Sequence, residues 1–175
     1  MFGGLGWAMN HDEVKAKILQ YLTEVIEKPR QEFGGMPVCP FAKKERKAGK
    51  LLIDVFDSDV DSIAVKFQEF AESDYDSALF AQLSNEPLGE EETRKYQAFL
   101  NKLLKFIGLK HLKTICFNPN FSLDINGFNP RSQAPFFLIN VADRKELAEA
   151  HNSILKTTYF DNMSDEYLKY LKVKE

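Results

Sequence analysis

The fold is decided by residues 51–83, LLIDVFDSDVDSIAVKFQEFAESDYDSALFAQL, in which one amphipathic segment separates two apolar runs. The two runs, 51–56 and 78–83, have the length and composition of buried strands. Between them a helix is expected to begin at Ser58 or Asp59, because apolar residues follow at helical spacing, namely Val60, Ile63, Ala64, Phe67, Phe70 and Ala71. Because parallel neighbours require a crossover connection, this strand–helix–strand unit predicts a partly parallel sheet.

Further helices and strands are predicted on both sides of this strand–helix–strand unit. Upstream, Asn10 and Glu13 have the spacing of a capping box and begin an amphipathic helix that Pro29 ends. Pro40 suits the first turn of a short basic helix that Gly49 stops. The remaining predicted elements are a helix over 89–107, strands over 114–117 and 136–141, a helix over 143–156 and a short helix capped by Ser164.

The predicted order is helix-β-α-β-α-β-β-α. It indicates an α/β (α+β) fold of two layers, in which helices pack on a four-stranded mixed sheet. The last two strands are expected to form an antiparallel pair with a long connection. The 175 residues fit a single α/β domain, 1–175, with an apolar N-terminal arm over 1–9 and a long loop over 118–134.

The composition excludes several classes of function. A net charge of -3 does not favour nucleic-acid binding, which needs clustered cations. The basic run that begins at Lys43 could hold a phosphate, but such runs are more often a solvated face. No apolar stretch is long enough for a membrane span, and the start lacks the pattern of a signal peptide. Two cysteines form no disulfide framework, so a cytoplasmic location is expected.

Cys39 is a first candidate site residue, within the stretch MPVCPFA over 36–42. As a plausible N-cap of the basic helix, beside Lys43 and Lys44, its thiol is expected to have a lowered pKa and thiolate character. Thiolate is the nucleophile and the metal ligand of cysteine chemistry. The alternative is a half-buried thiol that packs under the preceding loop.

The long loop supplies further candidates, because it contains Phe-Asn-Pro twice, at 117–119 and 128–130. Long loops in compact domains are often functional. Arg131 could bind a carboxylate or phosphate in bidentate fashion, with Asn118 and Asn129 as further substrate-binding candidates together with Lys43. Alternatively, Arg131 bonds the carbonyls of its own loop.

His151 is the third candidate, on the apolar face of the helix that begins at Asp143. Its spacing from Leu147 and Ile154 favours either a ligand or general base, or a hydrogen-bonded core residue. The sequence has no zinc-ligand spacing, no phosphate-binding glycine loop and no nucleophile-elbow serine.

Cys39-Pro40-Phe41-Ala42, Asn118-Pro119 and Arg131-Ser132-Gln133-Ala134-Pro135 occur in a distinctive order. This order resembles an uncharacterised bacterial family, a domain of unknown function, with the pattern Leu-Cys-Pro-Phe-Ala, His-Pro and Arg-Ser-Pro-Tyr-Pro. The likeness spans 39–141. The chain has Asn118 where the family has His. The resemblance implies a fold and no activity.

A second likeness involves Pro135-Phe136-Phe137-Leu138-Ile139-Asn140 followed by His151. It is similar to a bacterial family of haem proteins, some of which N-hydroxylate guanidines or related amines. That resemblance implies haem as the candidate cofactor, with His151 as its metal ligand, and oxidoreductase chemistry. The Arg-rich segment that follows the histidine in that family is absent, since 152–156 replaces it. A likeness to glutaredoxins through Cys-Pro-Phe lacks the resolving cysteine, which is Ala42 here.

The sequence leaves two functional hypotheses open. One is a small cytosolic enzyme or cofactor-binding protein, with Cys39 and His151 as catalytic residues and Arg131 as an anion clamp. It requires these three residues to share one pocket. The other is a non-catalytic binding or accessory protein whose Phe-rich loop and N-terminal arm form the contact surface.

Overall fold

The computed structural model describes residues 9–56, 59–83, 88–120 and 127–170. Its helices are α1 (His11–Tyr21), α2 (Ala42–Lys47), α3 (Val60–Ala71), α4 (Glu90–Phe106), α5 (Arg144–Ile154) and α6 (Asp165–Tyr170). Its strands are β1 (Pro29–Arg30), β2 (Met36–Pro37), β3 (Leu51–Phe56), β4 (Ser77–Gln82), β5 (Leu112–Phe117) and β6 (Phe137–Asp143). A π-helical turn, Leu22–Ile26, continues α1, and β1 and β2 form a small hairpin.

The main sheet has the strand order β3-β4-β6-β5. β3 and β4 are parallel, as the crossover through α3 predicts, and β6 is antiparallel to both β4 and β5. The expected antiparallel pairing of the last two strands is therefore confirmed. β6 lies between β4 and β5, so the second crossover, through α4, skips one strand position. The α/β (α+β) class and the mixed four-stranded sheet are confirmed.

Helices cover both faces of the sheet, which gives three layers where two were expected. On one face α3 and α4 bury Phe67 and Leu100 against Phe80 and Ile139. On the other face α1 buries Ile18 among the side chains of alternate strand residues, such as Leu79 and Leu138. This arrangement follows from the near-continuous apolar sequence of β4, because a strand buried on both faces needs no polar alternation.

Two amides of α4 cap the free edge of β5. The N–H group of Cys116 donates to Gln97 Oε1 at 2.8 Å, and that of Thr114 donates to Asn101 Oδ1 at 2.9 Å. Cys116 and Thr114 are fully buried, so their outward N–H groups have no access to water there. The helix thus supplies acceptors that a further strand would otherwise provide.

We expect Asn101→Ala to destabilise the fold by about 1–3 kcal/mol, because it leaves a buried N–H group without an acceptor. Urea unfolding monitored by circular dichroism measures this change. Asn152→Ala, at an exposed helical asparagine of α5, is the matched control and should change stability by less than about 0.5 kcal/mol. Equal midpoints for the two variants would contradict the capping role.

The segment after α5 packs back onto the β1–β2 hairpin. Thr158 Oγ1 donates to the Gly34 carbonyl at 2.8 Å, Asn162 Nδ2 donates to the Gln31 carbonyl at 2.6 Å, and the Tyr159 hydroxyl donates to the Val38 carbonyl. A separate hydrophobic cluster fills this junction, formed by Phe33, Phe128, Tyr159 and Met163. The last helix begins as expected, with the Tyr167 N–H group donating to Ser164 Oγ at 3.2 Å.

Most of the predicted N-terminal arm, 1–8, lies outside the described residues. Within the described part, no helix has both the length and the apolar character needed to cross a bilayer.

Candidate functional site

A cavity of about 300 Å³ lies on the α1 face of the sheet. It is bounded by the end of α1, the hairpin, α2, the end of the long loop and the segment after α5. Its wall is mostly apolar. The residues that line it are Tyr21, Leu22, Ile26, Phe33, Val38, Cys39, Ala42, Glu45, Leu51, Ser77, Leu79, Ile115, Phe117, Pro130, Arg131, Leu138, Asn140, Tyr159, Met163 and Tyr167.

The floor of the cavity consists of alternate residues from all four strands of the main sheet. Successive side chains of a strand point to opposite faces, so one residue in two reaches the α1 face. Asn140 is the polar residue in the middle of this floor, opposite Leu79 on one side and Ile115 on the other. Its Nδ2 donates to the Ala78 carbonyl at 3.1 Å, and its Oδ1 supplies an acceptor group.

Cys39 lines the cavity, but the expected lowering of its pKa is wrong. Burial raises the pKa of the thiol, which the backbone N–H groups of Phe41 and Ala42 partly oppose and the carboxylates of Glu45 and Glu27 reinforce. The helix itself begins at Ala42 with Phe41 as its N-cap, so Cys39 lies in the turn before it. Lys43 is exposed, where its charge is screened by solvent. The thiol is therefore neutral at neutral pH.

We expect the rate of Cys39 alkylation by iodoacetamide to rise only above the pH at which a free cysteine, of pKa about 8.5, reacts. The measurement is mass spectrometry of a Cys116→Ser variant over a series of pH values, with a cysteine-containing peptide as reference. In the native chain, Cys116 serves as an internal comparison, because burial raises the pKa of its thiol to about 12. A reaction midpoint at or below that of the peptide would contradict the neutral thiol.

Arg131 also lines the cavity, at the carboxyl end of β5. Its guanidinium carbon lies 5.7 Å from the centroid of the Phe117 ring. Asn129, a predicted substrate-binding residue, instead shapes the turn that places Arg131, because its Oδ1 accepts from the N–H groups of Arg131 and Ser132 at 3.1 and 3.2 Å. Burial raises the pKa of nearby Tyr21, and the positive charge of Arg131 opposes this rise. Arg131 thus places a positive charge at this end of the cavity.

The other sequence candidates lie elsewhere. Asn118 is buried and its Nδ2 donates to the Leu88 carbonyl at 2.8 Å and to Thr93 Oγ1 at 2.6 Å, which makes it a structural link between β5 and α4. Lys43 is exposed on α2 and does not line the cavity. His151 is half-buried on α5, with its ring centroid 5.9 Å from that of Phe160. The structure therefore brings together Cys39 and Arg131 but not His151.

The residues that line the cavity do not fit a haem held by His151. Among the cavity-lining residues that the structure describes there is no histidine, and the described ranges contain no cluster of three His, Cys, Asp or Glu side chains suited to a metal ion. The sequence placed His151 on a core face, but none of the described α5 residues is fully buried. No chemical step is therefore assigned to haem.

The described part of the Phe-rich loop turns inward. Phe117 lines the cavity, and Phe128 is buried beneath the guanidinium of Arg30, whose central carbon lies 3.4 Å from the ring centroid. Phe121 and Ile125 lie outside the described residues. In the described ranges these rings contribute to packing, so they do not form the contact surface that the accessory-protein hypothesis requires.

Several polar groups of the cavity were not predicted from the sequence. Ser77 Oγ donates to Glu45 Oε2 at 2.7 Å, and the Tyr21 hydroxyl donates to the Pro130 carbonyl at 2.6 Å. Asn140 carried a signal, because it is the one amide within the apolar strand β6. Glu45 carried a weaker signal, because it is the single acid within the basic run that begins at Lys43. Ser77 and the tyrosines had none, since only the packing brings them to the same cavity.

No family model, curated protein or solved structure matches this chain. The two family resemblances in the sequence therefore stay predictions, and the function has to be inferred from the geometry of the cavity.

Proposed function

We propose that this protein binds a small, mostly apolar molecule that carries an acidic group, in the cavity lined by Cys39 and Arg131. The observation that carries this proposal is the cavity itself: its volume is that of a small-molecule site, and its apolar wall is interrupted by a few polar groups. Arg131 is the group that would receive the acid, because a guanidinium matches a carboxylate or phosphate in two-point geometry.

The apolar part of the ligand would contact the floor and roof of the cavity. Leu79 and Leu138 supply the floor from the two central strands, while Ile26 and Tyr159 supply part of the roof. Burial of apolar surface contributes roughly 25 cal/mol per Å², so a short alkyl or aryl group gains most of its affinity here. Arg131 then selects acids over neutral analogues of the same shape.

Isothermal titration calorimetry with straight-chain monocarboxylates, from butyrate to decanoate, tests this proposal against the alcohols of the same length. We expect at least one acid to bind, and to bind about tenfold or more tightly than its alcohol. Arg131→Gln should remove this preference, whereas Arg131→Lys should keep part of it. Urea midpoints of both variants establish that they are folded.

Lys47→Gln is the matched control, because it removes an exposed cation of α2 that does not line the cavity. Leu51→Trp is a second variant that fills the cavity from the sheet edge and should abolish binding. Absence of binding by every acid, or equal binding of acid and alcohol, would overturn the proposal.

A second candidate is thiol chemistry in the same cavity. It is favoured by the backbone N–H groups of Phe41 and Ala42, which oppose the effect of burial on the pKa of the Cys39 thiol. In that case the Cys39 thiol would exchange with a bound octanoyl thioester, forming a new thioester and releasing the original thiol with the proton of Cys39. Mass spectrometry should detect the octanoyl group on Cys39 and not on Cys116. No adduct after prolonged incubation would leave binding as the sole function of the cavity.

A further inference from the structure

We infer that the ligand of the cavity is zwitterionic, with a cationic amine held by Glu45 at the end opposite Arg131. This inference rests on the proposed function, which assigns the acidic group of the ligand to Arg131. It adds Glu45 and Ser77 as a second recognition point, and it restricts the ligand class to elongated molecules with an apolar middle, such as ω-amino acids.

The strand register places the two charged groups far apart. Phe117, beneath Arg131, pairs with Leu138, and Leu138 pairs with Ala81. Ser77, which donates to Glu45, precedes Ala81 by four residues on the same strand. Four residues of strand span about 13 Å, so the guanidinium and the carboxylate mark opposite ends of the cavity floor.

The surroundings of Glu45 favour a cation at that end. Ser77 Oγ holds one carboxylate oxygen, and Ser77 is only 5% exposed, so the carboxylate has a fixed position on the cavity wall. Glu45 also lines an open groove between α2 and α5, together with Asp76, Glu146 and Glu149. The groove also contains Lys44 and Lys50, so its four carboxylates outnumber its two cations.

The middle of the floor matches an apolar linker between the two charges. Leu79 of β4 and its partner Asn140 of β6 lie between the two ends, whereas Leu138 lies at the Arg131 end. Asn140 offers one amide oxygen as an acceptor. A ligand with charges only at its ends would place no ionic group against Leu79, which avoids the cost of burying an unpaired charge.

Calorimetry with ω-aminooctanoate, octanoate and octylamine tests the inference on the native chain. We expect ω-aminooctanoate to bind about tenfold tighter than octanoate, and octylamine to bind more weakly than the amino acid. Glu45→Gln should abolish the advantage of the amine while octanoate binding is retained, because the Gln amide oxygen can still accept from Ser77. Glu45→Asp retains the charge and should keep part of the advantage.

Glu72→Gln is the matched control, since Glu72 is an exposed carboxylate at the end of α3, on the opposite face of the sheet. Octanoate binding without any advantage for the amino acid, or an advantage that survives Glu45→Gln, would overturn this inference and leave the proposed function intact. Absence of binding by all three probes would overturn both.

Discussion

Gly34→Ala is expected to destabilise the protein by about 3 kcal/mol or more and to release the segment after α5 from the hairpin. Gly34 has φ +63°, where a side chain costs about 1–2 kcal/mol. A Cβ atom there would also lie 1.8 Å from the Thr158 carbonyl oxygen, so the backbone of the segment has to move. Such overpacking typically costs a further 1–3 kcal/mol or so. Urea unfolding measures the total.

Gly35→Ala is the matched control for this variant. Gly35 has φ +83°, but a Cβ atom added there would meet no other atom within 4 Å, so only the conformational cost of about 1–2 kcal/mol applies. Hydrogen exchange should be faster over 158–163 in Gly34→Ala and unchanged in Gly35→Ala. Equal effects of the two substitutions would contradict the close packing of Thr158 on Gly34. Because Tyr159 and Met163 line the cavity, Gly34→Ala should also weaken any ligand binding.

Arg46→Met is expected to destabilise the protein by about 3 kcal/mol. Arg46 forms a two-point ion pair with Glu27, through bonds of 2.6 and 2.8 Å, and the Glu27 side chain is only 4% exposed. Removal of the guanidinium leaves a buried carboxylate without its partner, which typically costs roughly 3–5 kcal/mol. We expect the lower end of this range, because Arg46 is 26% exposed and water can replace part of the interaction.

The exposed Lys47 of the same helix gives the comparison, since Lys47→Met should change stability by less than about 0.5 kcal/mol. The double variant Glu27→Leu with Arg46→Met should recover part of the loss, because it buries no unpaired charge. Urea midpoints of the single and double variants separate these cases. An Arg46→Met midpoint no lower than that of Lys47→Met would show that the pair contributes nothing.

The ion pair also affects the candidate site. It joins the end of the π-helical turn, at Glu27, to α2, and the Cys39 N–H group donates to the Ile26 carbonyl of that turn at 3.2 Å. Loss of the pair should therefore loosen the wall of the cavity around Cys39. Alkylation of Cys39 in Arg46→Met should be faster than in the native chain at the same pH.

Local patterns in the sequence were sufficient for the longer helices and the four strands of the main sheet, but they did not predict the β1–β2 hairpin. The apolar run of β3 was predicted with its observed bounds, and Asn10 and Asp143 cap helices as their spacing indicated. Asp59, one of the two predicted starts of α3, is its N-cap. These features depend on contacts between residues close in the chain. The strand–helix–strand unit over 51–83 likewise fixed the parallel pairing, since a short crossover has few alternatives.

Part of the candidate site could also be predicted. Cys39 and Arg131 were selected from the sequence, and both line the cavity. His151 was selected on helical spacing alone, but α5 packs at the periphery of the fold and none of its described residues is fully buried. Asn118 and Asn129 were selected as substrate-binding residues, but neither lines the cavity and both hydrogen-bond to the protein itself. For the buried Asn118 this is expected, because a buried amide needs partners.

What the sequence alone determined is the set of longer helices, the four strands of the mixed sheet and two of the cavity-lining residues, because periodicity and caps act within a few residues. Only the tertiary structure decided that β6 lies between β4 and β5, that helices cover both faces, and that Glu45, Ser77 and Asn140 meet Arg131 in one cavity. It also decided the direction of the Cys39 pKa, because burial by distant segments outweighs the nearby N–H groups. Long-range pairing and burial depend on residues far apart in the chain, and no local pattern records them.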